Sequence, residues 1–180
     1  MLTSADELLK SGVIYLNGEV KEETMKSIIV DILYLNNLNR EDRPLKITLI
    51  INSPGGSVSE AFTLIDIMEM SNIPVETIGF GMIASCGLLI FMTGTNRRIT
   101  NKTSILSHQY AWGNQGKFHE LVAQRREEDL MGTRLIEHYK KHTKLPIKTI
   151  KEKLLTESDT WLSAGEAIKY NLADKIINKL

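Results

Sequence analysis

The chain of 180 residues balances 22 lysines and arginines against 22 aspartates and glutamates, which leaves no basic surplus for nucleic acid or an anionic membrane. Hydrophobic residues at 42% and charged residues at 24% exclude global disorder and suit one domain burying about 70% of its unfolded surface. A single cysteine, Cys86, excludes an intrachain disulfide and a cysteine-rich zinc site, and the longest apolar stretch, 88–92, is far too short to cross a bilayer. The first ten residues carry Asp6 and Glu7 and no long apolar run, so they do not form a signal peptide. The expectation is a soluble, cytoplasmic chain with no cofactor and no metal.

Residues 13–16 form a short apolar strand ending at the turn Asn17-Gly18. A helix is expected over 22–38, where Met25, Ile28, Ile29 and Ile32 share one face. The β-branched run 47–51 has the pattern of a strand buried on both faces, and it ends in Asn52-Ser53-Pro54-Gly55-Gly56. Ser57 and Glu60 have the spacing of a capping box and open a helix with Ala61, Leu64, Ile65 and Met68 on one side. A second buried strand is expected over 75–80, a turn over 81–86, and an apolar helix over 87–93. Two further strands cover 98–100 and 105–108. From 117 to 144 the chain is charged and helical. Leu121, Leu130, Met131, Leu135, Ile136 and Tyr139 give that helix a thin apolar stripe, so it should project from the body or pack on another subunit. Ser163 and Glu166 cap a last helix to 170, and 172–177 returns as a strand. The alternation argues an α/β domain with parallel pairing, whose ligand chemistry gathers at the carboxyl ends of strands.

Two turns fall at such ends. Ser85 lies in one, between Gly81 and Gly87, where it could act as a nucleophile beside free amides or merely cap the helix. Ile83 stands where the hydrolase nucleophile elbow requires glycine, so that motif is absent. Gly55-Gly56 forms the other turn, which either lets backbone approach a ligand or is an ordinary tight turn. His108 ends a strand in an uncharged neighbourhood and is placed like a general base. His119, His138 and His142 sit in the long charged helix and are expected to be solvated. Asp159 is not distinguished from other aspartates by composition or periodicity. Cys86 has no nearby basic residue to lower its pKa and reads as a small buried residue rather than a thiol nucleophile.

Four segments together resemble the proteolytic subunits of the Clp protease family: 52–56, the nucleophile segment 81–87, His108-Gln109, and 159–167. They occur in the family's order and the likeness runs nearly end to end. The resemblance implies a crotonase-like (ClpP-type) fold, a repeated ββα superhelix over 1–180 with the 117–144 helix as a projecting handle. It implies Ser85 as nucleophile, His108 as general base and then acid, and Asp159 as the group orienting the imidazolium. The backbone N–H groups of Gly56 and Cys86 would form the oxyanion hole. It also implies an ATP-dependent serine endopeptidase in stacked heptameric rings. Peptides or unfolded proteins would be its substrates, a hexameric Clp-type unfolding ATPase its partner.

Some positions depart from the family's pattern. Cys86 replaces a methionine, and only its amide is needed by the chemistry. Tyr110 and Trp112 stand where proline and glycine are common. Ser158 replaces an arginine that helps couple ring stacking to activity. Few residues precede Val13, where the family has a pore-lining segment, and Thr48 and Ile50 stand at positions where tyrosines help receive the ATPase. The expectation is cleavage of short peptides without an ATPase. Two rival readings remain: a catalytically weak ring-building or regulatory homologue, and an acyl-CoA-binding crotonase-fold enzyme.

Overall fold

The computed structural model describes residues 3–109 and 117–179, and within the long helix side chains from 124 onward. Tyr110 and Trp112 lie outside the described residues. The chain runs α1 (Ser4–Lys10), β1 (Val13–Asn17), α2 (Glu22–Asn37), β2 (Ile47–Ser53), α3 (Val58–Met70), β3 (Val75–Ala84) and α4 (Cys86–Met92). It continues through β4 (Arg97–Ile99), β5 (Ser104–Ser107), α5 (Phe118–Thr143), α6 (Ile147–Lys153), β6 (Thr160–Leu162), α7 (Ala164–Lys169) and β7 (Lys175–Ile176). This is an α/β fold of repeated strand–helix units.

A parallel sheet in the order β1-β2-β3-β4-β7 forms the spine. Met25, Ile28, Ile32 and Leu35 of α2, and Ala61, Leu64, Ile65 and Met68 of α3, are buried as their spacing requires. Every residue of α4 is buried. Each such leucine or isoleucine withdrawn from water contributes about 1.5–3 kcal/mol, which is what holds helices this short in place. The buried apolar residues form one cluster that joins β1, β2, α2, α3, α4 and the carboxyl half of α5.

β3 corrects the sequence reading. It does not stop at residue 80 but continues to Ala84, through the segment expected to be a turn. Ile51 pairs with Gly79 and Ser53 with Ile83, so β3 carries two extra residues opposite Asn52. Gly81 absorbs them at φ +60°. A side chain there would meet Asn52 Oδ1 at 2.8 Å, and that same oxygen accepts from the Met82 amide at 3.1 Å. A bulge bends a strand and re-aims the residues beyond it. Here it frees the end of β3 from β4 and pairs it with β5, Met82 to Ser104 and Ala84 to Leu106.

The long helix corrects a second expectation. Met131, Leu135 and Tyr139 are buried, and Leu135 and Tyr139 belong to the main core, so the carboxyl half of α5 packs on its own body. Leu130 is 45% exposed, and residues 124–127 and 129 are exposed. Among the described side chains of α5, it is this stretch before Met131 that lacks a covering surface. Three elements carry too little apolar pattern to be read from sequence: α1, α6 and β6. The closing strand is shorter than expected, with only Lys175 and Ile176 paired to β4. Among the described residues no helix is long and apolar enough to cross a membrane.

Candidate active site

Ser85 joins β3 to α4 with φ +53° and ψ −122°, a conformation that costs a non-glycine residue about 1–3 kcal/mol. Its amide donates to the Leu106 carbonyl at 3.0 Å, which ties the turn to β5. It occupies the N-cap position, yet its side chain makes no capping hydrogen bond. The reading of Ser85 as a plain helix cap therefore finds no support, and the residue is half-buried.

The glycine turn lies directly against it. Gly55 has φ +94° and Gly56 φ +147°. A side chain on Gly55 would strike Ser85, and one on Gly56 would lie 2.3 Å from the Val20 carbonyl oxygen. The turn is held by Val20, whose amide donates to Gly55 O and whose carbonyl accepts from Ser57 N, both at 2.8 Å. Ser57 then caps α3 by accepting from the Glu60 amide, without the reciprocal half of a capping box. Cys86 Sγ donates to the Gly56 carbonyl at 3.1 Å, joining the two turns. Its thiol is buried, and burial pushes its pKa up, so it stays protonated. The backbone amides of Gly56 and Cys86 donate to no backbone carbonyl in the loops and turns among the described residues. They are the pair expected to hold an oxyanion.

His108 follows the last residue of β5, and Asp159 precedes the first of β6. These strands run antiparallel with Ser107 opposite Thr160, so His108 and Asp159 leave the sheet at the same end, side by side. β3, β5 and β6 thus bring Ser85, His108 and Asp159 to one corner. Ser85, Cys86 and His108 line a small cavity closed by Val58, Leu89 and Tyr139. Asp159 is exposed and lies beside that cavity rather than in it. Among the described residues no hydrogen bond joins Ser85 to His108 or His108 to Asp159. Instead His108 Nδ1 contacts the Gln109 carbonyl. A carbonyl only accepts, so in the neutral ring Nδ1 carries the proton and Nε2 the lone pair.

The supporting contacts carry no pattern in the sequence that singles them out. Ser107 Oγ donates to the Leu154 carbonyl at 2.6 Å, so the Tyr139 hydroxyl, 2.7 Å away, must donate to Ser107. That link fixes α5 and α6 to the strand end that bears His108. Burial pushes the Tyr139 phenol far above its ordinary range, which keeps the donor protonated. Gln109 Nε2 donates to Leu155 O at 2.9 Å. Thr156 Oγ1 donates to the Ser158 carbonyl at 2.5 Å, shaping the turn before Asp159.

The other histidines correct an expectation. His138 is buried, with Nε2 2.9 Å from the Leu89 carbonyl, and His142 is largely buried beside Glu69. Neither is solvated. The side chain of His119 lies outside those described.

Comparison with known proteins gives a consistent result. A family model described as Clp protease matches residues 1–180. The ATP-dependent Clp protease proteolytic subunit of Deinococcus radiodurans is 34% identical over 176 residues, covering 96% of this chain and 83% of that protein.

Proposed function

The chain belongs to the Clp protease family as a serine-protease-type proteolytic subunit, and we propose that Ser85, His108 and Asp159 carry its hydrolysis of peptide bonds. The observation that carries the assignment is the pairing of a Ser85 hydroxyl that makes no helix cap with two amides that donate to no loop carbonyl, Gly56 and Cys86, on turns in mutual contact. Ser85 Oγ attacks the scissile carbonyl and passes its proton to His108 Nε2. The oxyanion that forms accepts from the Gly56 and Cys86 amides, which are aimed before the charge develops. His108 then protonates the leaving amine. Water, deprotonated by the same nitrogen, releases the acyl group and restores Ser85. Asp159 stabilises the imidazolium once the His108 ring turns from the Gln109 carbonyl toward it.

The finer fold we assign is the crotonase-like superhelix, supported by the β2-α3-β3-α4 repetition and the long α5. The functional unit is a homo-oligomer of stacked heptameric rings that cleaves short peptides without an unfolding Clp-type ATPase. Support comes from the exposed Leu130 on α5 and from exposed apolar side chains on α2, namely Val30, Leu33 and Tyr34. Apolar surface of this kind is stabilised by a neighbour.

A fluorophosphonate probe tests the assignment. It should modify one residue per chain, Ser85, and leave Ser85→Ala unlabelled. An unlabelled native protein, or equal labelling of Ser85→Ala, contradicts the reading.

A further inference from the structure

A groove between α3 and the carboxyl half of α5 holds a cluster that peptide hydrolysis does not use. Glu69, in the last turn of α3, meets His138 and His142 of α5. One ligand-capable atom from each residue lies within 4.8 Å of the other two. The histidines stand four apart, so they share one helix face, the spacing by which a helix presents two imidazoles to one ion.

Outer contacts already orient two of the three groups. His138 Nε2 lies 2.9 Å from the Leu89 carbonyl, which only accepts. That nitrogen therefore carries the proton and Nδ1 is left open to a ligand. Glu69 Oε2 accepts from Lys141 Nζ at 2.6 Å, while Oε1 stands 3.6 Å from His142 Nε2, too far for a hydrogen bond. His142 Nε2 is buried without any hydrogen-bond partner. A buried polar atom left so is uncommon and costly.

We propose that Glu69, His138 and His142 bind one divalent cation of the zinc class. Two imidazole nitrogens and a carboxylate oxygen suit Zn²⁺, with ligand distances of about 2.0–2.2 Å, and do not suit the oxygen-seeking Ca²⁺ or Mg²⁺. Ligating imidazoles must be neutral. Burial lowers the pKa of His138, and burial, with the charges of His138, Lys141 and Arg97 adding to it, lowers that of His142 to about 4 against the pull of Glu69. Among the described residues, Lys141 beside Glu69 and Arg97 beside His142 are positive charges that oppose a cation. The Lys141 side chain is 56% exposed, so it can leave Glu69 for solvent when an ion arrives. Glu69, His138 and Lys141 line the open groove, which gives the ion a way in. A bound ion ties α5 to α3 at the base of the long helix. This revises the expectation of no metal.

The test is calorimetric titration of the chelator-stripped full chain with zinc chloride, alongside thermal unfolding. One ion should bind per chain and raise the melting temperature. Glu69→Gln and His142→Ala, checked for native far-UV circular dichroism, should each bind at least about tenfold more weakly and lose that rise. If His142→Ala does not fold, Glu69→Gln decides alone. Absence of saturable binding, or binding unchanged in the folded variants, overturns the site and leaves a plain Lys141–Glu69 ion pair beside a neutral His142.

Discussion

A β-carbon on Gly55 would lie 2.6 Å from the β-carbon of Ser85, closer than two such atoms can approach. The glycine turn and the serine turn therefore touch at backbone distance, and the geometry at Ser85 depends on Gly55 having no side chain.

Gly55→Ala should displace the serine turn. The substitution is disfavoured twice, by φ +94° and by the overlap. Because the turn also carries the Gly56 amide proposed to hold the oxyanion, kcat on a short peptide should fall on the order of 10²–10³-fold, the cost of one misplaced oxyanion donor. Steady-state kinetics measure this. An unchanged kcat would show that the turn does not position the reacting groups.

Cys86 should be silent to thiol reagents until the protein unfolds. Its thiol is buried, and burial raises its pKa, so little thiolate exists at neutral pH. Ellman's reagent should find no reactive thiol in the native chain and one after denaturation. The sequence reading required only the amide of this residue. The structure adds a hydrogen bond from Sγ to Gly56 O at 3.1 Å. Cys86→Ala should keep most activity but lose about 1–2 kcal/mol of stability, through that bond and the space left behind. Full loss of activity in a folded Cys86→Ala would assign the side chain a larger part.

Leu130 and Leu135, five residues apart on α5, should behave oppositely. Leu135 belongs to the core, so Leu135→Ala should cost about 2–5 kcal/mol in urea denaturation. Leu130 is 45% exposed, so Leu130→Glu should change stability by no more than about 0.5 kcal/mol. If α5 meets an opposite ring, Leu130→Glu should also lower the particle mass measured by light scattering. An unchanged mass would remove Leu130 from the interface.

Arg97 and Asp174 should confer stability that acid removes. Burial alone would raise the Asp174 carboxyl, but hydrogen bonds from the Arg97 guanidinium and amide outweigh it and hold the carboxyl below its usual value. A lowered folded value means that the unfolded chain takes up the proton first. The contribution is complete above the unfolded value, about 3.9, and declines as pH falls through the lower folded one. Asp174→Asn should be less stable than the native chain at neutral pH, with the gap closing in acid. A gap independent of pH would contradict the sign.

The elements legible in the sequence are those whose apolar spacing alone decides burial. Met25, Ile28 and Ile32 of α2, and the unbroken run of β2, are of this kind. The bulge at Gly81 is not legible, because a glycine at positive φ serves a turn and a bulge equally. It becomes a bulge only through Asn52 on the neighbouring strand. Asp159 becomes distinct only when β6 pairs with β5, a contact between segments more than fifty residues apart. The burial of His138 and His142 was within reach of the sequence. They continue the face of Met131, Leu135 and Tyr139, but Glu137, Lys140 and Lys141 between them disguise it as solvated.

The most direct measurement is kcat on a short peptide for Ser85→Ala, His108→Ala, Asp159→Ala and the triple variant. Groups that act as one unit are grossly non-additive. Ser85→Ala alone should therefore cost nearly as much as the triple change, on the order of 10⁶. Ser85→Ala within tenfold of the native rate, or single losses that multiply to give the triple, would contradict the account.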